Sequence, residues 1–350
     1  MRRLKKRNFN RSNGRKNNLS TIIEDIVTRK IFNSRGEETL EVDVITVDGF
    51  GSASAPAGAS RGSAEVVPYP KGGVDFAIRK IEEEIAPELI GMNADEQETI
   101  DLLLHEIDET NNFRNIGGNT VCAISLSTAE AAASSYGIPL FQHLAGSLAS
   151  NLPYPLGNVL GGGEHAGGKA SDIQEFLVLP LNASTFSDAA KANIMVHQKV
   201  CSILEKKDST FTGGKGDEGG WAPNIRTEDA LKIMVEACKE VSNELDLECR
   251  VGVDIAASTL WNSKENSYVY ASDGVNMNPE EQLDYMLHLI EKYHLIYVED
   301  PFHEDDFEGF AQLTKRVKNC LICGDDLFVT NKERLAHGVM TGSANAIIIK

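Results

Sequence analysis

The sequence predicts an α/β fold: a small α+β domain, then a barrel of parallel strands with helices outside it. Three observations predict this. Four short apolar runs end in polar tips: Cys249 to Asp254, Leu295 to Asp300, Asn319 to Asp326 and Ala344 to Lys350. The tips after Glu299 recur at roughly the 25–35 residues that a strand, a helix and their loops occupy. Earlier in the chain, Thr39 to Val47 alternates apolar and polar residues with period two, the pattern of a half-buried antiparallel strand.

Taken in order, the chain opens with Arg2, Arg3, Lys5, Lys6, Arg7, Arg11, Arg15 and Lys16 and no acid in residues 1–20. This stretch has no apolar core of the kind a signal peptide needs, and it reads as a disordered basic tail. The whole chain of 350 residues carries a net charge of −18, so the remainder carries −26. That balance argues against general nucleic-acid or membrane binding, and the tail alone could touch RNA. No stretch reaches transmembrane length.

Residues 21–55 read as antiparallel strands, with Asp48-Gly49 as the turn. Pro56 to Gly62 is a small-residue loop that is either a closing lid or a plain linker. Residues 74–112 read as two helices, one with Ile78, Ile81, Ile85 and Leu89 on its face, the other with Ile100, Leu103, Leu104 and Ile107. An Ala-rich helix follows through Tyr136 and ends at Gly137. These elements make a domain of residues 21–145.

The barrel domain spans residues 146–350. Gly161 to Gly168 is a glycine-rich loop around His165, a residue that either binds an anion or is simply solvated. Ile173 to Pro180 is a strand with a polar start. A helix runs from about Asp188 to Lys206. In Gly213 to Trp221, Asp217 and Glu218 lie between glycine pairs, a composition that fits neither helix nor strand and suggests a functional loop. Thr227-Glu228-Asp229 caps a helix whose buried face holds Leu231, Met234, Val235, Cys238, Val241 and Leu245. Asn278-Pro279 opens another. Strand and helix then alternate to the end.

Pro301 cannot continue a ladder, so Glu299 and Asp300 sit at a strand's C-terminal tip, where α/β barrels place their chemistry. Any single acid there could merely cap the next helix. Three acidic tips and a lysine in register point instead to carboxylates gathered around a cation, and an all-oxygen ligand set suits Mg²⁺. The six cysteines are scattered. The Cys320-x-x-Cys323 pair lies within an apolar strand and reads as buried free thiols.

The chain resembles the enolase family, most closely its archaeal members. The resemblance rests on Asn33-Ser34-Arg35-Gly36, Gly58-Ala59-Ser60, Gly163-Glu164-His165-Ala166-Gly167, Gln174-Glu175-Phe176, Gly216-Asp217-Glu218-Gly219-Gly220, Val253-Asp254, Glu299-Asp300-Pro301-Phe302, Gly324-Asp325-Asp326-Leu327 and Ile349-Lys350. It implies a small α+β cap on a modified TIM-like barrel whose first two strands are antiparallel. It implies a phosphopyruvate hydratase, a lyase that interconverts 2-phosphoglycerate and phosphoenolpyruvate. Asp254, Glu299 and Asp325 would hold one Mg²⁺. Ser60 would reach a second, assembled with substrate. Lys350 would be the general base and Glu218 the general acid, with His165, Gln174 and Glu175 beside the substrate. A cytoplasmic homodimer is implied as well.

Asn33, Ala57, Arg61 and Trp221 depart from the family's usual aspartate, serine, threonine and phenylalanine. The family's chains also continue beyond the position of Lys350 through an eighth strand that holds substrate. The expectation is therefore a barrel incomplete at its C-terminus, and impaired activity for residues 1–350 by themselves. Two alternatives stand beside this: a relative acting on a sugar acid or a cycloisomerisation substrate, which would carry a Lys-x-Lys where Gln174-Glu175-Phe176 stands, and a non-catalytic binding protein using the basic tail.

Overall fold

The computed structural model describes residues 20–55, 62–163 and 170–350. The chain divides into two compact units, residues 20–55 with 66–150 and residues 62–65 with 151–350.

The first unit opens with an antiparallel meander of β1 (Ile23–Phe32), β2 (Glu38–Thr46) and β3 (Phe50–Ser54), in that order across the sheet. Alternation along β2 buries Leu40, Val42 and Val44 completely. The first predicted helix is α1 (Gly73–Lys80), continued by a π-helical turn Ile81–Ile85 into the short α2 (Ala86–Leu89). α3 (Gln97–Asp108), α4 (Gly118–Tyr136) and α5 (Leu140–Ala145) complete the unit. Gly137 ends α4 with φ 67°, a left-handed C-cap that costs glycine little. The β2–β3 hairpin lies directly on α4. A Cβ on Gly51 would sit 2.1 Å from the Ser127 carbonyl oxygen, and one on Gly49 would sit 2.4 Å from that of Ala131. Glycine on the hairpin and small residues on the helix thus let two backbones touch.

The second unit is a six-stranded sheet among the described residues. Its strands are β4 (Gly157–Gly161), β5 (Glu175–Leu181), β6 (Glu248–Asp254), β10 (Tyr297–Glu299), β11 (Leu321–Gly324) and β12 (Ala346–Ile347). β5 is antiparallel to both neighbours, β4 and β6, while β6, β10, β11 and β12 are parallel. The spatial order is β12-β11-β10-β6-β5-β4, an open sheet with β4 and β12 at its edges. The helices are α6 (Phe186–Lys207), α7 (Thr227–Leu245), α8 (Pro279–Tyr293), α9 (Phe307–Arg316) and α10 (Lys332–Thr341). One sheet face packs under them through Phe176, Val178, Val251, Val253, Val298 and Ile322. Leu177, Tyr297 and Cys323 form a separate cluster.

Strand and helix alternate from α8 to β12 as expected. Before α8 lies an insertion that the sequence reading did not include: residues 257–277 form a 3₁₀ turn and a small antiparallel sheet of β7 (Trp261–Asn262), β8 (Ser267–Tyr270) and β9 (Val275–Met277). Tyr268 and Tyr270 anchor it in the core, and the insertion accounts for the long step between the tips Asp254 and Glu299. One local reading is corrected: Thr227 is the first helical residue of α7 and not its cap; its hydroxyl pairs with that of Ser171 at 2.9 Å. The capping box of α8 is present, with Asn278 accepting from the backbone of Glu280 and Glu281. All six cysteines are free, and burial pushes the Cys320 thiol up to about 12 and the Cys323 thiol above the ordinary range. Among the described residues, no helix is long and apolar enough to cross a membrane.

Candidate active site

Register gathers the polar tips at one end of the second unit's sheet. Glu299, last in β10, pairs with Asp254, last in β6. β5 runs the other way, so it delivers its first residue to the same end: Glu175 pairs with Asp254. Asp325 follows β11 directly, and Lys350 lies three residues past β12. The period of two along each strand then puts Glu175, Asp254 and Glu299 on one face of the sheet.

Asp254, Glu299 and Asp300 each bring a carboxylate oxygen within 4.8 Å of the others, and all three are buried. Asp254 accepts from Gln174 Nε2 and from the Ala256 N–H, both at 3.0 Å. Glu299 accepts from the Tyr297 hydroxyl on its own strand. The neighbour of Tyr297 on β6 is Gly252, where a Cβ would come within 3.0 Å of the tyrosine Cβ. The missing side chain therefore makes room for the phenol that holds Glu299. Lys350 Nζ lies 3.0 Å from Asp325 Oδ2 and 3.3 Å from Glu65 Oε1. The other oxygen of Asp325 is buried with no hydrogen-bond partner.

The crowding of acids sets their protonation. Burial, then the hydrogen bond and charge of Glu218, push Glu175 up to about 9. Burial raises Glu299 to about 7, against the opposing hydrogen bond from Tyr297. Burial and the charges of Glu299 and Asp300 hold Asp254 well above the carboxylate range. Burial disfavours the charge of Lys350, but the bond and charge of Asp325, with Glu65, outweigh it and hold the ammonium above the ordinary lysine value. The lowered lysine pKa that base chemistry requires is thus not supplied by these side chains alone.

Glu218 rides on a loop fastened to the edge of β4. The Trp221 N–H donates to the Val159 carbonyl, and the Gly161 N–H to that of Trp221, both at 2.9 Å. The indole stacks on His197 at 4.5 Å and carries Lys215 Nζ 4.4 Å from its ring centre. Asn158 Nδ2 donates to Glu218 at 3.3 Å.

Two family models match the chain: "Enolase, N-terminal domain" over residues 23–144 and "Enolase, C-terminal TIM barrel domain" over residues 149–350. The enolase of Methanothermobacter thermautotrophicus is 53% identical over 95% of this chain and 80% of its own length. That of Methanosphaera stadtmanae is 52% identical over the same shares. That of Pyrobaculum aerophilum is 48% identical over 94% of this chain and 79% of its own. The chain belongs to the enolase family.

As an enolase the chain is a lyase, a phosphopyruvate hydratase. Of the residues singled out by sequence, Gln174, Glu175, Glu218, Asp254, Glu299, Asp325 and Lys350 belong to one cluster of carboxylates and their partners. Ser60, His165 and residues 1–19 of the basic tail lie outside the described residues. Sequence reading gave no role to Tyr297, Gly252 or Asn158, whose contacts depend on cross-strand pairing. Asp300 was read only as a strand tip. It is the third member of the tight acidic group.

Proposed function

We propose that these residues carry out the Mg²⁺-dependent, reversible dehydration of 2-phosphoglycerate to phosphoenolpyruvate, a step of glycolysis and gluconeogenesis. One observation carries the reading: strand-tip carboxylates crowded together beside a second pair, Glu175 and Glu218, held close enough for a hydrogen bond to keep a proton between them.

The donor set fits a hard cation. Every candidate ligand atom at the strand tips is a carboxylate oxygen, and the Oδ1 of Asp325 is buried without a partner. Asp254, Glu299 and Asp325 would hold one Mg²⁺, and Ser60 would reach a second that assembles with the substrate. Bound there, Mg²⁺ supplies positive charge against the negative charge that develops on the substrate carboxylate. Lys350 Nζ removes the proton next to that carboxylate. With Asp325 engaged as a ligand, Lys350 would lose its strongest partner and keep only Glu65, and burial would then act toward the neutral amine. Glu218, with Glu175 as its proton-sharing neighbour, delivers a proton to the departing hydroxyl. Gln174 and His165 bind the substrate. The enzyme is cytoplasmic and homodimeric in this reading, with a small molecule and no nucleic acid as its partner.

Replacing Asp254 with Asn in the natural gene product tests the reading. Mg²⁺-dependent turnover of 2-phosphoglycerate should be abolished while the circular dichroism spectrum is kept. Turnover equal to that of the parent protein would sink the metal assignment.

A further inference from the structure

Asp300 is 2% exposed and sits in the left-handed region at φ 39°. Aspartate tolerates that region only at some cost in strain. Its two oxygens are already occupied. Oδ2 accepts from the Asp326 N–H at 2.8 Å and the Asp325 N–H at 3.3 Å; Oδ1 accepts from Asp325 at 3.2 Å and Leu327 at 3.4 Å. Three consecutive backbone donors therefore converge on one buried carboxylate.

Those donors open a turn that runs through Thr330. Val329 and Thr330 take φ of 43° and 54° there, so the turn is strained at its far end too. Arg334 braces it from the other side, donating Nε to the Leu327 carbonyl at 2.6 Å. The turn carries Asp325, and the Lys350 N–H donates to Thr330 Oγ1 at 3.1 Å.

We propose that Asp300 is a positioning residue for the metal centre and not a ligand: it fixes the 325–327 backbone and so presents Asp325. This rests on the reading of Asp325 as a ligand. A carboxylate that spends its lone pairs on three N–H groups has little left for a cation, and such outer partners typically change metal affinity by about 10–100-fold.

The test measures Mn²⁺ binding to the natural gene product by electron paramagnetic resonance of the free ion, with no substrate present. The proteins compared are the parent, D300A, D300N, D325A and D300A/D325A. D300A should weaken binding by about 10–100-fold. D300N, which keeps one acceptor and suits a left-handed residue, should fall between D300A and the parent. It also serves if D300A fails to fold. The double variant should bind no more weakly than D325A, because Asp300 acts through Asp325. If D300A and D300N bind like the parent, the proposal is overturned. It is equally overturned if D300A weakens D325A as much as it weakens the parent, which would make Asp300 a ligand in its own right. D325A binding like the parent would instead locate the failure in the ligand reading of Asp325, and the proposal would fall with it.

Discussion

At Glu175 burial and a second carboxyl act in the same direction, and the proton stays on at neutral pH. The folded-state pKa, about 9, lies above the ordinary value of 4.5. The stability this allows is complete below the lower value and is lost as pH rises through the higher one. Glu175→Gln removes the titration. In the presence of a chelator, the variant should match the parent near pH 4 and exceed it by about 3–5 kcal/mol near pH 8 in urea unfolding. A difference that stays flat across that range would contradict the shared-proton picture. The strand-tip acids Asp254 and Glu299 were legible because an apolar run ending in an acid, with Pro301 as breaker after the second, encodes both burial and position. Asp300 was legible as a residue and not as a role. Its partners are the backbone N–H groups of another loop, which no side-chain pattern records.

Among the elements, the β2–β3 hairpin and α4 show a contact that sequence spacing hides. The alternation of β2 and the Ala-rich face of α4 each predict an element. The demand that Gly51 have no side chain arises only where the two meet. Gly51→Ala would drive a methyl group into backbone atoms that cannot move aside. It should cost about 1–3 kcal/mol or more, read as a lower urea midpoint at an unchanged slope. An unchanged midpoint would mean that hairpin and helix are less tightly fitted. The β7–β9 insertion was missed for a different reason: strands of two to four residues carry too little periodicity to register. The antiparallel course of β5 shaped the site most. It turns the polar start of that strand, Gln174-Glu175, toward the C-terminal tips of its neighbours.

At the scale of the whole molecule, the second unit's sheet has β4 and β12 as its edges among the described residues, and Lys350 stands half-exposed beyond a strand of two residues. Catalytic positioning depends on neighbours that hold a base still. Here Asp325 and Glu65 are those neighbours for Lys350, and rates are read on the natural gene product. The most direct measurement is the conversion of 2-phosphoglycerate to phosphoenolpyruvate by that protein and its Glu218→Gln variant, with Mg²⁺ and with chelator. Turnover should require the metal and should fall by about 10²–10⁴-fold in the variant, the usual contribution of a positioned general acid, with Mn²⁺ affinity unchanged. Undiminished turnover in the variant, or turnover that survives the chelator, would contradict the assignment of this acidic cluster as the site of the reaction.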